Sequence, residues 1–260
     1  MKTIILIPAR FASQRYPGKP LVILTGKDGV PKSLIQRSWE AAIAVQGVSA
    51  VYVATDDLRI RDAAQAFGAE VVMTSEHCAN GTERCADALQ HISQSADLYV
   101  NLQGDAPLTP SWFVEALIDE MRSDPKVEMA TPVLRCDATT YANFVDDRLN
   151  GRVGGTTAVF NKAMDALYFS KEVVPYTGQA FTEDEQIPVF HHVGVYGYRE
   201  AALRSYMTWQ PGPLERYEGL EQLRFLENGV PIRCVEVEGR GRVFWELNNP
   251  VDVARIESVI

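Results

Sequence analysis

Three cations lie close together near the start of the chain. Arg10, Arg15 and Lys19 fall in Pro8-Ala-Arg-Phe-Ala-Ser-Gln-Arg-Tyr-Pro-Gly-Lys19, directly after the apolar run Ile4 to Ile7. Cationic side chains and free backbone N–H groups on one loop suit a ligand with several negative charges. The Pro17-Gly18 turn argues for a single loop shape. The stretch reads as a polyphosphate cradle, with a solvated basic loop as the plainer alternative. A second candidate is Gln103-Gly104-Asp105-Ala106-Pro107, which follows the apolar segment 98–102. A lone carboxylate just past a buried strand can share a hard cation with phosphates, because Mg²⁺ takes one or two protein oxygens and leaves the rest to substrate. The alternative for Asp105 is an aspartate turn.

Both loops need a scaffold that brings them to one edge. Residues 4–7 form a short buried strand by pattern, and Pro8, having no N–H, is expected to end its ladder. Further strands are expected at 49–55, 70–73, 97–103, 127–134 and 231–237, and helices at 31–45, 58–67 and 111–121. Strand, loop and helix repeated in this way argue for a mostly parallel sheet with helices on both faces, an α/β fold. Ligands of such sheets gather at the carboxyl ends of the strands. Thr55 and Asp56 are then expected on the cradle's rim, although Asp56 or Asp57 also suits a helix cap. Asn80-Gly81-Thr82-Glu83-Arg84 reads as a turn into a helix. His191 and His192, adjacent on a strand, point to opposite faces, so only one can meet a ligand there. Leu220 to Arg224 read as part of a helix, whereas residues 135–160 show no clear organisation.

Composition narrows the class. The chain has 260 residues, 46% hydrophobic and 23% charged, with a net charge of −9. That length buries a core readily, and an acidic chain is a poor nucleic-acid binder. Four cysteines without paired spacing read as reduced thiols of a cytoplasmic protein. No apolar run suits membrane insertion, and Met1-Lys2 running straight into a strand leaves no room for a signal peptide. No dinucleotide fingerprint or Walker lysine motif is present.

The segment Ile7-Pro-Ala-Arg-Phe-Ala-Ser-Gln-Arg-Tyr-Pro-Gly-Lys-Pro-Leu21 resembles the amino-terminal signature of the 3-deoxy-manno-octulosonate (Kdo) cytidylyltransferases, the CMP-Kdo synthetases of bacterial lipopolysaccharide and capsule synthesis. Similar segments follow in order: Gly81-Thr-Glu-Arg84, Gln103-Gly-Asp105, Ala166-Leu-Tyr-Phe-Ser-Lys171, His192-Val-Gly-Val-Tyr-Gly-Tyr-Arg199 and Leu220-Glu-Gln-Leu-Arg224. The resemblance implies a three-layer α/β/α nucleotide-diphospho-sugar transferase fold, with a smaller sugar-binding and dimerisation subdomain within 135–215. It implies that Arg10, Arg15 and Lys19 hold the CTP triphosphate and that Pro8 and Ala9 face the cytosine. Asn80, Gly81 and Thr82 are expected at the nucleotide as well. Gln103, Lys171, His192, Tyr196, Glu221 and Gln222 are expected at the sugar acid, and Asp105 at Mg²⁺. Asn248 stands where the family has its second metal aspartate, with Glu246 as an alternative. Lys171 stands where the family has an arginine, and Ala106 where many members have a glutamate. The reaction implied is CTP plus Kdo giving the CMP-sugar and pyrophosphate, carried out by a homodimer. Two alternatives are kept: another acceptor (an amino-substituted octulosonate, a different sugar acid or a phosphonate), or a CTP-binding relative without catalysis.

Overall fold

The computed structural model describes every residue except 13–15, 28, 154, 243, 248 and 251. The expectations for Arg15 and Asn248 therefore lie outside the described residues. Twelve strands are present among the described residues: β1 (Thr3–Ala9), β2 (Ile23–Thr25), β3 (Pro31–Ser33), β4 (Ala50–Thr55), β5 (Glu70–Met73), β6 (Leu98–Leu102), β7 (Met129–Arg135), β8 (Thr157–Phe160), β9 (Ala166–Ser170), β10 (Phe190–His192), β11 (Val195–Tyr198) and β12 (Ile232–Val237). Helices α1 (Leu34–Ile43), α2 (Leu58–Ala66), α3 (Gly81–Ala88), α4 (Ser111–Ser123), α5 (Ala138–Leu149), α6 (Glu200–Tyr206), α7 (Pro213–Glu218), α8 (Leu223–Glu227) and α9 (Asp252–Glu257) connect them.

Ten strands make one sheet. The run β5-β4-β1-β6 is parallel throughout, and β12 runs parallel to β7. Strands β11, β10 and β9 run against their neighbours. Ile4, Ile5, Leu6 and Ile7 of the central strand β1 are fully buried, each contributing roughly 1.5–3 kcal/mol. One face of the sheet packs Cys85 of α3, Leu203 of α6 and Phe225 of α8. The other packs Ile35 of α1, Ile60 of α2 and Leu117 of α4. Helices thus cover both faces, giving the α/β/α layering.

Several elements differ from the sequence expectations. Pro8 does not end its strand: β1 continues to Ala9, paired with Thr55. The pairing of β1 with β6 stops at Leu6 opposite Asn101, and a strand bonded on one flank alone tolerates a proline. Residues 31–33 form a small antiparallel pair with β2, so α1 begins only at Leu34, where Ser33 Oγ accepts from Gln36 N at 3.3 Å. The unorganised stretch contains α5, capped by Asp137 through Thr140 N at 2.7 Å. Tyr141 and Phe144 of this helix pack with Ile187 and Val189 in a separate small cluster. Strands β10 and β11 both lie along β7, but the register slips by two residues between His192↔Val133 and Gly197↔Ala130. An even slip keeps the alternation of faces, and the intervening Val193-Gly194 bulges. Finally, Glu221 and Gln222 do not lie on a helix. Gly219, at φ 62°, ends α7 in the left-handed conformation, and the pair sits in the turn before α8.

Candidate active site

The carboxyl ends of β1 and β6 bring the cradle and the Gln103-Gly104-Asp105 turn together. Gly18, at φ 70°, donates to Phe11 O at 2.9 Å and closes the loop between them. Arg59 lies over the Phe11 ring with its guanidinium carbon 3.3 Å from the centroid. The chain then enters a single 3-10 turn, Lys19–Leu21, that aims Lys19 inward. Lys19 Nζ is 2.5 Å from Asp105 Oδ2, with the two side chains 13% and 25% exposed. Gly104 has no room for a side chain, since a Cβ there would sit 2.8 Å from Pro8 O. Ser38 Oγ anchors the same turn by donating to Gly104 O at 3.0 Å.

Arg10 reaches the far wall of the cleft, where Nη1 donates to Ala79 O at 3.2 Å. That wall is the start of α3. Asn80 Oδ1 accepts from Glu83 N at 2.8 Å as its cap, and Asn80 Nδ2 donates to Tyr206 OH at 3.1 Å. Thr82 Oγ1 and Tyr198 OH are 2.8 Å apart. The remaining nucleotide expectations find protein partners. Thr55 is fully buried, and its hydroxyl accepts from Asp57 N at 3.2 Å, so it shapes the turn instead of facing the cleft. Asp57 is the cap of α2, through Arg59 N. Asp56 Oδ1 lies 3.1 Å from Nη1 of the buried Arg84.

Glu221 ties the start of α3 to Gln103. One carboxylate oxygen accepts from Thr82 N and the other from Gln103 Nε2, both at 3.2 Å. Burial raises the Glu221 pKa, against the lowering effect of the Thr82 and Gly81 N–H groups. Tyr196 OH donates to Gln222 Oε1 at 3.2 Å. Burial, then the charges of Glu221 and Glu246, push the Tyr196 hydroxyl well above its ordinary value, so it remains a hydrogen-bond donor. His192 is 5% exposed. Its Nε2 is 3.1 Å from Thr131 Oγ1, and its ring packs between Phe169 and Tyr196. Burial lowers its pKa to about 3, so at neutral pH it is an uncharged support behind Tyr196. His191 faces Phe144 and Phe244 on the opposite side. Lys171 is tied through its backbone N to Glu218 at 2.9 Å, and its Nζ lies 3.0 Å from where Gly219 would carry a Cβ.

The carboxyl-terminal segment closes the site. Leu247 N donates to Asp105 O at 2.9 Å. Glu246 Oε1 lies 2.8 Å from the Cβ position of Gly194 in the bulge, which explains the missing side chain there. Among the described residues no group of three His, Cys, Asp or Glu side chains could hold a metal by itself. One partly exposed hard carboxylate at a strand end, Asp105, suits Mg²⁺ that borrows its other ligands from phosphates.

Sequence reasoning missed two features of the site. One is the frame under α3: Arg224, 2% exposed, bonds Glu215 at 2.6 and 2.7 Å and Glu83 at 3.0 Å. The other is Asn101, a polar residue inside the otherwise apolar strand β6 and fully buried. A lone amide in an apolar run was the available signal for it.

A family model described as Cytidylyltransferase matches residues 4–233. The 3-deoxy-manno-octulosonate cytidylyltransferase of Maricaulis maris is 46% identical over 260 residues, covering 100% of this chain and 97% of that protein. The one from Escherichia coli is 39% identical, over 92% of this chain and 89% of its own. A solved structure of CMP:2-keto-3-deoxy-manno-octonic acid synthetase complexed with CTP superposes with a TM-score of 0.82 at 35% identity, covering 99% and 97% of the two chains. A 4-diphosphocytidyl-2C-methyl-D-erythritol synthase from Anaerococcus prevotii shares the fold, with a TM-score of 0.58 at 10% identity. Identity of this extent along the whole length decides the matter: the chain belongs to the 3-deoxy-manno-octulosonate cytidylyltransferase family.

Proposed function

We propose that the chain couples CTP to 3-deoxy-manno-octulosonate, giving the CMP-sugar and pyrophosphate for lipopolysaccharide or capsule synthesis. The observation that carries this reading is the meeting of Lys19 with Asp105 at 2.5 Å. It joins a cation suited to the leaving phosphates to a carboxylate suited to their metal, at one point of the cleft. The anomeric hydroxyl attacks the α-phosphorus in line, the bond to the β-phosphate oxygen breaks, and pyrophosphate leaves with the electron pair. This chemistry needs positioning and charge neutralisation more than covalent help from the protein. Arg10, Arg15 and Lys19 offset the charge of the leaving group. Glu221, Gln222, Gln103 and Tyr196 orient the acceptor, with Lys171 at the outer edge of the same turn. Mg²⁺ held by Asp105, with Asn248 or Glu246 as a second oxygen donor, would neutralise the α-phosphate and acidify the attacking hydroxyl, so no side-chain base is required.

The finer parts of this reading are a cytoplasmic enzyme and a homodimer. No helix among the described residues is long and apolar enough to cross a membrane. Support for the dimer comes from the groove between α5 and residues 172–181, where Leu149 is 82% and Tyr176 93% exposed. We place the second copy there and assign residues 135–215 to a subdomain serving acceptor binding and pairing.

The test is pyrophosphate release with CTP and Mg²⁺, with Kdo present, absent, or replaced by other sugar acids and a phosphonate. Kdo-dependent release is expected. Release with another acceptor alone would move the specificity, a reading favoured by the lysine at Lys171 in place of a bidentate arginine. CTP binding without release from any acceptor would make the chain a non-catalytic relative.

A further inference from the structure

Asn101 is an expensive residue where it stands. Its side chain is fully buried, yet neither Oδ1 nor Nδ2 has a hydrogen-bond partner among the described residues. Leaving a buried polar group unpaired is costly, and a leucine of similar shape would avoid that cost. Its neighbours are the acceptor groups described above. Tyr196 is its cross-strand partner, and Gln103, just past the end of β6, lies on the same side, beside Gly81. The backbone of Gly81 comes so close that a Cβ would lie 3.3 Å from Asn101 Nδ2 and 3.0 Å from Gln103 Nε2.

A second amide beside Tyr196 is also incomplete. Gln222 is 1% exposed, its Oε1 is taken by Tyr196 OH, and its Nε2 is unpaired. The unpaired set is therefore three groups: the NH2 groups of Asn101 and Gln222, with two N–H donors each, and the carbonyl oxygen of Asn101. A hydroxyl, with one O–H and two lone pairs, can accept one N–H from each amide and donate to Asn101 Oδ1. A carboxylate has no proton to give Asn101 Oδ1, and an apolar group would satisfy none of the three.

We propose that Asn101 is a specificity-determining residue of the acceptor site, taking, together with Gln222, one hydroxyl of the polyhydroxylated acid. The hydroxyl enters where the Glu221 carboxylate now bridges Thr82 and Gln103. The inference rests on the acceptor reading above and adds a residue to it.

Asn101→Leu is the direct test, because it keeps the volume and removes both polar groups. The acceptor KM is expected to rise at least tenfold while the CTP KM stays within twofold, and the Tm should not fall. A deoxy acceptor lacking the recognised hydroxyl should be discriminated by the wild type and not by the variant. An unchanged acceptor KM would overturn the proposal. So would a lower Tm with both KM values moved alike, the behaviour of a side chain that serves the fold through a bound water. Should leucine not be accommodated, Asn101→Ser is measured against the same acceptors. Wild-type pyrophosphate release is the control for the acceptor reading itself. Calorimetric binding of the acid to both proteins decides on Asn101 even where turnover is absent.

Discussion

Lys19 and Asp105 lie 86 residues apart in the chain and form an ion pair at 2.5 Å. In the proposed reaction, CTP would draw the ammonium to its phosphates and so free the carboxylate for a metal. Asp105→Asn keeps the size and removes the charge. We expect kcat to fall at least ~100-fold, the scale of removing several kcal/mol of metal assistance. The pair is partly exposed, so stability should change by no more than about 1 kcal/mol. Steady-state kinetics with thermal melting checks both, and an active variant would refute the metal assignment. Lys19→Met should, in contrast, strengthen Mn²⁺ binding measured without nucleotide.

Gly104 keeps that pair in register. In Gly104→Ala the new methyl would meet a backbone carbonyl, Pro8 O at 2.8 Å, which cannot swing away as a side chain can. The turn must shift and carry Asp105 with it. A cost of about 1–3 kcal/mol in stability is expected, with kcat reduced by more than tenfold. Melting curves together with kinetics separate the two effects.

The frame under α3 is a buried charge network. Glu215 and Arg224 are 8% and 2% exposed and bonded through both carboxylate oxygens. Burial opposes the arginine's charge, yet Glu215 and Glu83 hold its pKa above the ordinary value. Glu215→Ala strands that charge and should destabilise the fold by roughly 3–5 kcal/mol, read from denaturant unfolding. A loss below 1 kcal/mol would mean that Glu83 suffices alone.

The histidines set an acid limit. Burial lowers His191 to about 4, and burial with the neighbouring His191 lowers His192 to about 3, from an ordinary 6.5. Between those values and 6.5 the unfolded chain binds more protons than the folded one. Their contribution is therefore complete above pH 6.5 and is lost as pH falls toward 3, by about 1.4 kcal/mol per pH unit for each neutral histidine. His192→Gln should flatten the fall of Tm between pH 6.5 and 5.

Leu149 and Tyr176 make the dimer testable. Leu149→Glu puts a charge on the face given to the second copy. Sedimentation should show the wild type at twice the chain mass and the variant at one. An unchanged mass would move the interface elsewhere.

Much of this was legible in the sequence where local chemistry and pattern agree. The buried run of β1, the Gly18 turn, the Asp57 cap and the rim position of Asp105 all follow from residue types over a few positions. The opposite facing of His191 and His192 follows from simple alternation within β10. What stayed hidden depends on contacts far along the chain. Pro8 remains in β1 because β6 stops short beside it, a fact about the partner strand. Glu221 and Gln222 read as one face of a helix because the Gly219 break is a single residue within otherwise helical periodicity. Helix α5 packs with residues 187 and 189, far downstream, so its own stretch looks unorganised in isolation. Asn101 was passed over because a strand pattern weighs apolar residues and treats one amide as noise.

The bond from Leu247 N to Asp105 O also bears on how the protein is made. Leu247 packs with Leu24, Leu34 and Ile256, and Glu257 accepts from Thr25 N at 2.7 Å. A loop made early is thus braced by segments made much later, although domains begin folding from the amino end. A fragment released early would carry Arg10, Lys19 and Asp105 but lack the clasp that holds them in register. A chain cut before Leu247 is therefore expected to bind nucleotide more weakly than the whole, although every cradle residue is present in it.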